Sequence, residues 1–211
     1  SQTTPETAAE QWSLRQTEIE QFYQEGDLQG ALNIAQEAVS LAETAFGPAS
    51  LETISSLLLQ AQIHSELDQL EEANQIYQTA LETTVSAFGE SDAATLSVLD
   101  SYGQFLNSID PEMAEPILTE ALRLSEDEDP QRAARMKALG QNFQEMGRIS
   151  EAEEMLNEAL KVFQTLVGEK DAETLSAMAV LAQLHLSQGK LKPAQELFET
   201  SLPLMREVLD E

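Results

Sequence analysis

The chain has 211 residues, with 38 acids against 11 bases, a formal net charge of −27 and no cysteine. Its length supports a sizeable core, and the missing cysteines exclude disulfides and thiolate catalysis. The charge argues against binding nucleic-acid phosphates or anionic lipid.

Ser1 to about Thr7 is polar and is expected to be a mobile tail. The spacing predicts a first helix over about 8–25, carrying Trp12, Ile19, Phe22 and Tyr23. Gly26-Asp27 turns the chain, Asp27 caps a second helix, and that helix runs to about Phe46. Ser50 is placed to cap the next helix, and Ser91 or Asp92 a later one. Asp110-Pro111 and Asp129-Pro130 each mark a start, with proline at the first helical position. Pro116 lies farther in and is not read as a helix end. Ser150 with Glu153 has the spacing of a capping box. Pro203 is expected to kink the last helix near Glu199. No apolar run reaches the roughly 18 residues that a membrane helix requires. A soluble chain is therefore expected, cytoplasmic or exported.

A repeat runs through these elements. Ala31, Ala73, Ala114, Ala152 and Ala194 are separated by 42, 41, 38 and 42 residues. The tripeptide at Ala45–Gly47 returns at Ala87–Gly89, and Leu166–Gly168 holds the same place. The third unit is the shortened one, with Ser125–Pro130 in place of the longer linker. In each first helix the filled positions fall at i, i+4 and i+7, as in Val98, Tyr102 and Phe105 or Met178, Ala182 and His185. The second helices repeat small, large, small, as in Ala152, Leu156 and Ala159. Neither helix buries its stripe alone, so neighbours must stack. Ala42 falls outside this register and is expected to tolerate change.

Four segments carry a resemblance: Leu139–Phe143, Glu151–Leu160, Ala114–Leu122 and Gly168–Leu175. Together they resemble the tetratricopeptide repeat, in the long variety of kinesin light chains and many bacterial scaffold proteins. The resemblance implies an all-α, right-handed α-solenoid of five helix-turn-helix repeats, ten helices in all. The repeats would span about 8–47, 48–89, 90–128, 129–168 and 169–211. Arg15 stands where later repeats place Leu, Val or Met, which suits an end cap with a polar outer side.

Chemistry-bearing constellations are sparse. His64 and His185 occupy one repeat position, three repeats apart, too far to share a metal, and read as core rings. Glu126–Asp129 lacks the alternating ligands and distal Glu of a calcium loop and reads as a solvated linker. The glycines are isolated and build no phosphate cradle. No catalytic, cofactor or metal site is expected.

The resemblance implies instead a non-catalytic scaffold or adaptor whose first helices line a concave groove for a peptide or protein segment. The alternative is a self-assembling module. The paired Asn of kinesin light chain grooves are replaced by Leu58-Leu59, Leu99-Asp100, Lys137-Ala138 and Ala179-Val180. Farther along, Gln62, Gln141 and Gln183 share a position with Glu20 and Gly103 of the other two repeats, and amides there suit an extended backbone. Tyr23, Leu96, Leu99 and Leu106 add apolar area to that face, Leu58 and Lys137 complete it.

Residues 1–122 hold 21 acids and one base, net −20, and residues 123–211 hold 17 and 10. The expected partner is a protein or peptide with basic residues and apolar anchors. That inverts the acidic-cargo preference which the resemblance to kinesin light chains implies. Leu204, Met205, Val208 and Leu209 on the last helix offer a surface for homo-oligomer formation, or for a further repeat of a longer protein.

Overall fold

Small residues decide how closely the helices approach. The structure, a computed structural model, describes residues 4–126 and 129–209. Ten helices occur among the described residues: α1 Pro5–Glu25, α2 Leu28–Phe46, α3 Leu51–Glu66, α4 Leu70–Phe88, α5 Ala93–Ile109, α6 Pro111–Arg123, α7 Pro130–Glu145, α8 Ile149–Leu166, α9 Ala172–Ser187 and α10 Leu191–Leu209. They pair in sequence as helix-turn-helix units. Ala31, Ala73, Ala114, Ala152 and Ala194 are all 0% exposed, as the repeat requires. Ala38, Ala80, Ala121, Ala159 and Ser201, seven positions on, are buried too.

Contacts divide the chain into two compact units, Ser1–Phe105 and Leu106–Glu211. In the first, α2 packs against α1 and α3, and α3 against α4. Trp12 of α1 is its staple: the indole N–H donates to Ser56 Oγ of α3 at 2.9 Å, and the ring meets Phe46 edge-on at 5.4 Å. Arg15 bridges Glu18 and Glu37 of α2, both at 2.8 Å. In the second unit α7 packs on α6, α8 and α9, and α10 on α9. Arg148 pairs with Glu115 and Glu151 and lies over the Phe143 ring at 4.3 Å.

Helix starts follow the sequence with two exceptions. Asp27, Ser50, Asp110 and Asp129 accept from backbone N–H groups as caps. Asp92 rather than Ser91 accepts from Ala94 N at 2.8 Å. Pro116 sits inside an unbroken α6. The expected tail is shorter than 1–7, because Thr4 caps α1 and Pro5 opens it. Ser1–Thr3, and Asp127 and Glu128 of the acidic linker, lie outside the described residues. The capping box at Ser150 does not form. Gly147 adopts φ +73 and turns the chain earlier, so α8 starts at Ile149 and Ser150 is already inside it. Ala42 is 0% exposed and does not sit outside the packed stripe as expected, since the buried face of α2 runs on from Ala31, Ala35 and Ala38 to Ala42.

A further periodic device ties the turn after a second helix to the start of the next first helix. Thr53, Thr95 and Thr174, all 0% exposed, donate to the carbonyls of Gly47, Gly89 and Gly168 at 2.8, 2.8 and 2.6 Å. Those glycines have φ of 96 to 97, open to glycine without strain. The shortened linker lacks the Gly–Thr pair. There Arg132 Nη1 donates to Leu122 O at 2.8 Å, and Arg135 Nη1 to Ser125 Oγ at 2.9 Å.

Two substitutions test this packing. A Cβ on Gly140 would lie 2.8 Å from Leu156 Cγ and 3.3 Å from the Ala152 carbonyl oxygen. Gly140→Ala gains about 1 kcal/mol of helix propensity but overpacks, at about 1–3 kcal/mol. Denaturant titration should show a net loss of about 0–2 kcal/mol, and a gain of stability approaching the full helix-propensity term would mean that α7 and α8 are not in tight contact there. Thr95→Val keeps the shape and removes the donor to the half-buried Gly89 carbonyl, so it should cost about 0.5–1.5 kcal/mol. The exposed Ala87→Arg is the matched control and should leave the midpoint in place.

Candidate functional site

The first unit holds an open cleft of about 580 Å³. One wall is α3, which presents Ser55, Leu58, Leu59, Gln62, Ser65 and Glu66. Their spacing follows one helical face. The opposite wall is Ser101, Gln104 and Phe105 of α5, with Tyr77 of α4 at the floor. Apolar groups make the base and amides, hydroxyls and one carboxylate make the upper edge. That is the usual composition of a recognition cleft.

The floor is rigid. Tyr77 stacks on Tyr102 at 5.5 Å and meets Phe105 at 5.0 Å. Tyr102 Oη donates to Asn74 Oδ1 at 2.8 Å and accepts from Gln78 Nε2 at 3.3 Å. Ring pairs of this kind add about 0.5–1.5 kcal/mol beyond burial. Above them Gln62 Nε2 donates to Glu66 Oε1 at 2.9 Å, which orients the carboxylate along α3.

Glu66 is the electrostatic centre of the cleft. Burial pushes the Tyr23 phenol well above its ordinary range, and the Glu66 charge pushes it further. Tyr77 moves the same way for the same two reasons. The Glu66 carboxylate therefore acts on both phenols in the same direction. It is placed to accept a hydrogen bond or a cationic group from a ligand.

The expected groove residues divide three ways. Leu58 and Gln62 line the cleft. Tyr23 is half-buried within the field of Glu66, and Glu20 is exposed on α1. Gln141 and Gln183 are exposed in the second unit. Leu96, Leu99 and Leu106 are a correction: at 8%, 3% and 3% exposure they are core, not surface. A first helix touches both its own second helix and the preceding pair, so it is buried on two sides. Lys137 is also corrected. Its Nζ lies 2.6 Å from Glu173 Oε2 and 3.1 Å from Ser176 Oγ, with only 16% of the side chain exposed. It links α7 to α9 and is not offered to a ligand.

Ser55, Leu59, Ser65, Glu66, Tyr77, Ser101, Gln104 and Phe105 belong to the cleft and were not in the sequence-derived set. The stripe through Leu58 and Gln62, extended by three and four residues along α3, would have found Ser65 and Glu66.

On the last helix, Leu204 and Met205 are half-buried and Val208 is 45% exposed, while the side chain of Leu209 lies outside the described residues. No helix among the described residues is long and apolar enough to cross a membrane.

The family model described as Tetratricopeptide repeat matches residues 20–84, 110–165 and 132–207. A search of curated proteins returns no match. Among solved structures, a kinesin light chain of Podosopora anserina with nearly identical TPR-like repeats is similar, at a TM-score of 0.77 and 16% identity over 98% of both chains. BtubC (BKLC) from P. vanneervenii gives a TM-score of 0.77 and 16% identity, covering 99% of this chain and 92% of that one. A Rap protein complexed with competence and sporulation factor gives 0.74 and 16%, covering 93% of this chain and 54% of that one. At such identities the likeness is one of fold.

The two phenols provide a check on the cleft. Both have raised pKa values, so the stability tied to their neutral form is complete below about pH 10. It is lost as pH rises through the folded values. Alkaline titration followed by tyrosinate absorbance should lose a late-rising part in Tyr23→Phe and in Tyr77→Phe. Glu66→Gln should bring that late part to lower pH. A titration curve indifferent to Glu66→Gln would show that the carboxylate does not face the phenols.

Proposed function

Because the chain belongs to the tetratricopeptide repeat family, we propose that it is a non-catalytic adaptor that holds a protein or peptide segment in the cleft between α3 and α5. The observation that supports this most directly is the composition of the cleft: an apolar floor of Leu58, Leu59, Tyr77 and Phe105 under a single carboxylate, Glu66. The repeats of this family are in general protein-interaction modules. A Rap protein of similar fold has been captured with a bound factor.

The partner segment carries an apolar side chain flanked by Lys or Arg. The apolar group supplies most of the affinity, since fully burying a leucine-sized side chain contributes about 1.5–3 kcal/mol. The cation pairs with Glu66 and contributes roughly 0–1 kcal/mol at this exposure. The wider field does the steering: residues 1–122 carry net −20, which speeds encounter with a basic segment and fades with salt. Gln62 and Gln104 offer both donors and acceptors to a backbone lying across the cleft.

Selection of a random peptide library on the whole chain tests this reading. Enriched peptides should combine apolar residues with Lys or Arg. Their affinity should fall at least about tenfold in Ser55→Trp, which fills the cleft from an exposed position, and about threefold in Glu66→Lys. Acid-rich peptides, or binding indifferent to both variants, would place recognition elsewhere.

A further inference from the structure

The second unit has its own cleft, of about 470 Å³, formed by the end of α9 and one face of α10. Leu186, Leu191 and Leu202 line it at 46%, 70% and 50% exposure, beside Phe198. On α8 the equivalent surface is covered by α9. On α10 no element among the described residues covers it. Leucines open to this extent on one face mark a contact surface.

The charges on the face indicate what covers it. Glu199 and Arg206 both line the cleft, seven residues apart on one side of α10, or about 10 Å along the helix axis. Glu199 accepts only a neutral donor, Gln195 Nε2 at 2.6 Å. Arg206 makes no ion pair among the described residues, although its neighbour Glu207 holds Lys170. Leu202 and Pro203 lie midway between the two charges.

We propose that this face is covered by a second copy of the chain, with the two α10 helices crossing antiparallel about a twofold axis at Leu202-Pro203. Such a crossing sets Glu199 of each copy against Arg206 of the other, so both ion pairs close at once. Leu202 of each copy meets at the centre, with Leu191 and Leu186 farther out on the same face. A patch whose opposite charges are symmetric about an apolar midpoint is self-complementary, as an isologous interface requires. The global charge permits it here: a chain of net −27 repels its own copy, but 10 of the 11 basic residues lie in residues 123–211. Neither end of α1 offers an equivalent surface, since Leu14 is the one large apolar side chain strongly exposed on that helix. The interface is independent of the cleft between α3 and α5.

Sedimentation equilibrium of the whole chain decides the matter, using wild type, Glu199→Arg, Arg206→Glu, the double exchange, and an equimolar mixture of the two single variants. Wild type should be a dimer. Each single exchange replaces two ion pairs with like-charge contacts and should weaken the dimer about tenfold or more. The double exchange restores both pairs and should restore the dimer. The mixture should form a heterodimer, because one chain then carries two cations and the other two carboxylates. Both positions are exposed, so circular dichroism should show all variants fully helical. A wild type that stays monomeric at high concentration, single exchanges that leave the dimer intact, or a mixture that remains monomeric would each overturn the proposal.

Discussion

The fold depends on close helix approach at positions whose side chains are alanine or serine. At Ala31, Ala73, Ala114, Ala152 and Ala194 the paired helices come close enough that nothing of the alanine remains exposed. Seven positions on, Ala38, Ala80, Ala121 and Ala159 do the same, with Ser201 in the last helix. A helix pair held this closely sets the direction of the turn that leaves it. That turn in turn fixes where the next first helix begins, and so which of its side chains point into a cleft.

The Thr–Gly ties make the second constraint. Each buried threonine reaches back to a glycine carbonyl that the turn has taken out of helical geometry. Those carbonyls are half-buried, and the hydroxyl gives each a donor inside the fold. One hydroxyl therefore both satisfies the turn and locates the start of the following helix. Where the linker is shorter and the threonine absent, arginines supply the donors. Their length and fan of N–H groups tolerate a different register.

Most of the fold was legible because its causes are local. Repeat period, proline at helix starts and Asp or Ser caps all act over a few residues, and Asp27, Ser50, Asp110 and Asp129 behave accordingly. The cleft was legible only in part. Leu58 and Gln62 could be placed from helical phase, but Leu96, Leu99 and Leu106 could not. A first helix here is packed from two directions, and a single hydrophobic stripe does not show which further leucines are covered. In α9 the buried set runs through Thr174, Leu175, Ala177, Met178, Leu181, Ala182, Leu184 and His185, nearly all round the helix. Lys137 failed for another reason: its partner Glu173 is 36 residues away, and nothing in the neighbourhood of either residue announces the pair. Glu66 was passed over because one more acid is inconspicuous among 38.

Trp12 is the chain's single tryptophan, and it is fixed between Ser56 and the Phe46 ring. Its indole spans α1, the end of α2 and α3, all inside the first unit. Its emission is therefore a built-in reporter for half of the molecule, silent about the other half, whereas far-ultraviolet ellipticity sums all the helices. The two signals coincide on heating only when the array melts as one cooperative body. The placement of one aromatic side chain thus lets the unlabelled protein reveal whether its stability is shared along the chain or held separately in each part.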